Sequence, residues 1–166
     1  MRRSQTLILI LLCGLAGCGF QLRGAYTFPF KTATIESPKS APEFTEQLRR
    51  AIAAQGSIQI VETKDKPQAR IRVLEVFSDK RILSLSSGGK VREFVLEQRV
   101  KFDVVDEGDR ALLEETTIAA TREFSFSDAQ ALAKESEERI LRADMQTDLL
   151  AQMLRQLQAA RISAVR

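Results

Sequence analysis

The stretch Ser86-Ser87-Gly88-Gly89-Lys90 holds the residue types of two chemical motifs. As a glycine-rich loop ending in lysine it could cradle phosphate, but that motif needs Ser or Thr after the lysine and a helix next. Here Val91 follows, and the residues beyond it alternate like a strand. As Ser87-x-x-Lys90 it spells the serine–lysine pair of some acylating enzymes. That pair works where i and i+3 share a helix face. Two intervening glycines disfavour the helix, and neither S-D-N nor K-T-G occurs. A β-hairpin turn is the better reading, because glycine supplies the positive φ that a tight turn needs. Glu114-Glu115 and Glu137-Glu138 are adjacent pairs that do not face one another, and Asp103, Asp106 and Asp109 lack an EF-hand pattern. With no histidine, the chain has no Ser-His-Asp triad, no Cys-His pair and no imidazole base. No enzyme signature survives, and the expectation is a protein without catalysis, cofactor or metal.

Cysteine occurs only at Cys13 and Cys18, too few for a four-cysteine metal site. Both lie in an N-terminal segment with the marks of a secretory signal. Arg2 and Arg3 are basic, Leu7 to Leu12 is an unbroken apolar run, and the stretch is too short to span a bilayer permanently. Leu15-Ala16-Gly17-Cys18 matches the bacterial lipobox. Residues 1–17 are therefore expected to be removed, leaving Cys18 to carry diacylglycerol and an N-acyl chain such as palmitate. Each buried methylene contributes about 0.8 kcal/mol, and several chains make anchoring stable. Gly19, where Asp would favour inner-membrane retention in enteric bacteria, favours the outer membrane. Cleavage of 17 residues from 166 leaves 149, with 23 basic against 22 acidic groups, because the signal takes two arginines and no acid. That balance does not drive counterion release, and Phe alone would have to stack bases, so nucleic acid is not an expected partner.

The remainder is expected to order itself into an arm, a domain and a tail. Residues 18–30 form an extended arm, apolar enough to pack on something. Residues 31–162 form one α+β domain, and 163–166 a C-terminal tail. Lys31 to Glu36 reads as a strand. Ala41 to Gln55 reads as a helix, with Phe44, Leu48, Ala51 and Ile52 on one face and Gly56 as its stop. Ser57 to Val61 reads as a strand and 64–67 as a turn. Long strands follow over Ala69–Phe77, continuing toward Leu85, over Lys90–Asp106 and over Leu112–Phe126. In the first, Ala69, Ile71, Val73 and Phe77 share a face. In the second, Phe94, Leu96, Val100, Phe102 and Val104 oppose Glu93, Glu97, Arg99, Lys101 and Asp103. Ser127-x-x-Gln130 has the form of a capping box opening a long helix. In that helix Leu141, Met145, Leu149, Met153 and Leu157 repeat at i+4. The pattern predicts two helices packed on one face of a mostly antiparallel four- to five-stranded sheet. The charged first third of the last helix, Lys134–Arg142, is expected to project or to meet a partner. The opposite sheet face, charged in both signs, is expected to be solvated with little exposed apolar patch. Lys90, Arg92 and Lys134 are the cations placed to meet an anionic ligand. Lys134 stands in the first turns of a helix, where a cation opposes the macrodipole.

Two stretches resemble a known family. Cys18-Gly19-Phe20-Gln21-Leu22-Arg23-Gly24 resembles the mature start of the LPS-assembly lipoproteins, LptE, and Phe124-x-Phe126 with Asp128–Glu135 resembles the entry to that family's last helix. The resemblance implies a lipoprotein of the outer membrane, seated on the periplasmic side in the lumen of the LptD β-barrel as its plug and 1:1 assembly partner. It also implies binding of lipopolysaccharide. Lys134 matches a family lysine associated with that contact. The family's other basic position falls at Ser87, with Lys90 or Arg92 as candidate replacements. Phe20, Leu22 and Arg23 become candidate contacts of the arm. From the residues alone, a scaffold of another envelope complex and a membrane-tethered hydrolase remain open.

Overall fold

The computed structural model describes residues 28–160. The signal segment, Cys18, the arm positions Phe20, Leu22 and Arg23, and the 163–166 tail lie outside the described residues. Strand β1 (Thr32–Glu36) is followed by helix α1 (Pro42–Ala53) and by the short strand β2 (Gln59–Ile60). A meander of long strands comes next: β3 (Ala69–Leu85), β4 (Val91–Val105) and β5 (Ala111–Ser125). Helix α2 (Ala131–Ala159) closes the fold. The sheet order is β2-β1-β3-β4-β5. β1 runs parallel to both β2 and β3, while β3, β4 and β5 are antiparallel.

Helix α1 starts at a proline, whose missing N–H is no loss in the first turn. It ends before Gly56, which takes a φ of 66° that only glycine enters at little cost. Its apolar face, Phe44, Leu48 and Ile52, is buried together with Met145, Leu149, Met153 and Leu157 of α2 against the β3–β5 sheet. Burying each such side chain contributes roughly 1.5–3 kcal/mol. Phe28 and Phe30, at the end of the expected arm, belong to this core, and their rings lie 6.2 Å apart.

Several expectations need correction. The strand expected over Ser57–Val61 shortens to Gln59–Ile60, because only Thr32 and Ala33 offer it partners. Ser127 makes no side-chain cap. Asp128–Gln130 forms a 3₁₀ turn, closed by the Gln130 N–H donating to the Ser127 carbonyl at 3.0 Å, and α2 begins only at Ala131. Phe77 does not share the face of Ala69, Ile71 and Val73. The ladder slips between Val73 and Glu75, leaving Leu74 as an extra residue, so Val76 joins the core and Phe77 turns to the other face beneath Arg99. A one-residue insertion moves every later side chain across the sheet. Asp103, expected among the solvated charges, is 8% exposed. Arg72, its direct cross-strand partner, grips both its oxygens at 2.7 and 2.5 Å. That hydrogen bond, more than any other contact, raises the Arg72 pKa further above its ordinary value.

Candidate functional site

The end of the sheet remote from β1 gathers the candidate cations. β3 continues well past Arg72, where its pairing with β1 stops, so its last two-thirds is paired only to β4. The turn at 86–90 is a hairpin as expected. The Gly89 N–H donates to the Ser86 carbonyl at 2.9 Å, and the Ser86 N–H to the Lys90 carbonyl at 2.7 Å. Gly89 has φ 78°, whereas Gly88 does not enter the left-handed region. With no helix at Ser86, neither a phosphate loop nor a helical serine–lysine pair is present.

The chain then folds α2 back over this end. Lys90 Nζ lies 3.7 Å from Asp128 Oδ2, with both side chains largely exposed to solvent. The Phe126 N–H donates to the Arg92 carbonyl at 2.7 Å, tying the entry of α2 to β4. Lys134 Nζ donates to Ser125 Oγ at 3.0 Å and to Glu137 Oε2 at 2.8 Å. Lys90, Arg92 and Lys134 thus lie on segments that converge at one corner, but in different states. Lys134 is largely covered, with 15% of its side chain exposed, and already has an acid partner. Lys90 holds its partner loosely in open solvent. Arg92 is exposed and makes no ion pair among the described residues. Arg92 is also the extra residue of a β4 bulge that offsets the extra Leu83 on β3. The ladder runs Ile82↔Phe94, Ser84↔Glu93, Leu85↔Val91.

Of the two expectations for the charged first third of α2, projection is not what the structure shows: this stretch is fastened to β3. Glu138 accepts from Lys80 Nζ at 2.5 Å and from Arg142 Nε at 2.9 Å, and Arg142 Nη1 donates to Ser78 Oγ at 2.7 Å. Lys80 also sits 4.2 Å from the centre of the Phe94 ring, which stacks on Phe124 and meets Phe126 edge-on. Burial alone would raise the Glu138 pKa, but the hydrogen bonds from Lys80 and Arg142 outweigh it and hold the carboxyl below its ordinary value. Ion pairs and a cation over aromatic rings therefore fasten this half of the helix, where the other half uses apolar side chains.

The opposite sheet face neutralises itself. Arg81 and Arg99 reach Glu97 at 2.7 and 3.2 Å, and Lys101 reaches Glu115 at 3.1 Å. Elsewhere, a cleft of about 420 Å³ opens between the start of α1 and the middle of α2, lined by Ser40, Phe44, Val76, Ser78, Gln98 and Leu149 among others. Ser78 is engaged by Arg142, and no histidine is available as a base. No group of acids or cysteines among the described residues could hold a metal. No described helix is long and apolar enough to cross a membrane. The sequence reading missed the apolar side chains at the hairpin end: Ile82, Leu83 and Leu85 are exposed, as is Leu132 in the first turn of α2.

Residues 27–157 match the family model described as "LptE: Lipopolysaccharide-assembly". The chain is 30% identical over 159 residues to the LPS-assembly lipoprotein LptE of Yersinia enterocolitica, covering 90% of this chain and 75% of the relative. It is 27% identical over 146 residues to that of Pectobacterium atrosepticum, covering 86% and 77%. Among solved structures, lipoprotein B from Nitrosomonas europaea superposes with a TM-score of 0.74 at 39% identity, over 85% of this chain and 91% of that one. A minor lipoprotein from Acinetobacter baumannii gives 0.65 at 25% identity, over 80% and 93%. With a family model spanning most of the described fold, the chain belongs to the LptE family of non-enzymatic LPS-assembly lipoproteins.

Proposed function

We propose that this lipoprotein is the plug and 1:1 assembly partner of an LptD-type β-barrel in the outer membrane, and that it binds lipopolysaccharide at its hairpin end. Acyl chains on Cys18 hold it to the membrane on the periplasmic side, and Phe20, Leu22 and Arg23 belong to the arm between lipid and domain. The observation that carries the ligand reading is the corner shared by Lys90, Arg92 and Lys134. Phosphates on an acylated sugar need local cations, because the mature chain has almost no net charge. Arg92 is free to receive one, Lys90 can exchange Asp128 for it, and Lys134 holds the start of α2 in place while offering its remaining donor. The self-paired outer face suits a polar barrel lumen.

The plug reading is tested by purifying the native protein in mild detergent and identifying its stoichiometric partner. An LptD-type barrel at 1:1 supports it, and a different barrel or none overturns it. For the ligand, Lys90→Glu with Arg92→Glu should weaken lipopolysaccharide binding several-fold at low salt, since exposed pairs are each worth about 0.2–1 kcal/mol. Adding Lys134→Glu should weaken it further. Unchanged binding by a folded double variant removes these cations from the site. Cys18→Ala should abolish acylation, and the same mature N-terminus on the outer membrane would contradict the lipobox reading.

A further inference from the structure

The β3–β4 hairpin end combines features that the cations alone do not explain. Ile82 and Leu85 are each 56% exposed and Leu83 is 46% exposed, within a few rungs of the ladder. None belongs to the core, and Leu132 at the entry of α2 is 81% exposed. Isolated surface leucines are ordinary, but a run of them at one tip marks a contact site. They also lie on the part of β3 that β1 leaves unpaired, a free edge where charge or proline usually discourages association. Bulges frequently serve to re-aim a side chain. Here they occur on both strands at the tip, adding Leu83 on one and Arg92 on the other. Leu83 and Arg92 are thus both extra residues of one hairpin tip, between the rungs Ile82↔Phe94 and Leu85↔Val91.

We infer that this tip is a seat for hydrocarbon: Ile82, Leu83 and Leu85 receive acyl chains of the same anionic lipid whose phosphates meet Arg92 and Lys90. The inference rests on the lipopolysaccharide reading above and adds the part of the ligand that the cations cannot recognise. Charge complementarity selects an anionic amphiphile over a neutral one. The apolar residues select an acylated ligand over a bare sugar phosphate. A purely polar lumen wall would leave these side chains without a partner.

The test uses the mature acylated protein in mild detergent, titrated with lipid A and with its fully deacylated bisphosphorylated backbone. The wild type should bind lipid A at least about tenfold more tightly, given what burying even a few methylenes contributes. The triple variant Ile82→Thr, Leu83→Thr, Leu85→Thr places strand-favouring β-branched residues at all three exposed positions and should melt like the wild type. It should lose most of that preference while keeping its affinity for the deacylated backbone. Equal wild-type affinity for the two ligands, or a preference that survives in the triple variant, overturns the inference and leaves the cation site standing. A wild type that binds neither overturns both. A photo-crosslinking residue at Leu85 gives an independent readout should the triple variant misfold. Adducts with lipid A support the seat, and adducts with a protein partner alone overturn it.

Discussion

The two ends of the sheet share β3, β4, β5 and α2, yet they are held by different forces. At the end where β1 and α1 pack, Leu48, Ile52, Met153 and Leu157 are wholly buried, and their close packing tolerates no loss of volume. At the hairpin end the same helix rests on Lys80, Glu138 and Arg142 and on a cluster of phenylalanines. Apolar packing resists change uniformly. Ion pairs respond to salt, to pH and to an arriving charge. The contrast teaches that one helix can serve as a structural wall along one half and as an adjustable, ion-paired support along the other.

The largest expected break comes from the packed end. Leu48→Ala should cost about 2–5 kcal/mol and lower the melting temperature accordingly, whereas Leu132→Ala should stay within about 0.5 kcal/mol. Equal effects would erase the distinction. Next, Glu138→Gln leaves Lys80 and Arg142 without their shared acid, and should cost about 1–3 kcal/mol. The loss should be confined in hydrogen exchange to the first third of α2 and the adjoining strands, leaving the α1 side protected. A smaller effect separates the halves by pH. Glu138 titrates below its ordinary value, so its contribution is full above about pH 4.5 and is lost as pH falls through the lowered value. The wild type should therefore converge in stability with Glu138→Gln as acid is added, and a constant difference would contradict the assignment. Smallest of all, Gly89→Val should cost about 1 kcal/mol or slightly more through its left-handed φ. Gly88→Ala should cost much less, since its added carbon meets nothing nearer than 3.9 Å.

Much of this was legible in the residues. Alternation marked the three long strands, Gly88-Gly89 marked their first turn, and the i+4 stripe from Leu141 marked the helix that covers them. What escaped was set by partners distant in sequence. The face of Phe77 depended on a slip at Leu74 against β4, and period counting has no access to that. Asp103 looked solvated because only the register reveals Arg72 opposite it. The exposed apolar residues of the hairpin, Ile82, Leu83 and Leu85, read as an ordinary strand, since period counting does not show which stretch of a strand is left uncovered. At the candidate corner, the residue types of Lys90, Arg92 and Lys134 were visible. Their unequal availability was not, because it turns on Asp128 and Ser125 across a chain reversal.

The parallel placement of β1 beside β3 carries a consequence for how the chain reaches this structure. β3, β4 and β5 are neighbours joined by short turns, so their pairing closes small loops. β1 must find β3 across the whole α1–β2 segment, with Ala33 against Ala69. Closing that larger loop costs more chain entropy before any contact repays it. The meander should therefore dominate the transition state, with β1 and α1 docking afterwards. Val100→Ala should mainly slow refolding and Leu48→Ala mainly hasten unfolding, a pattern that stopped-flow measurements on the two variants would show directly.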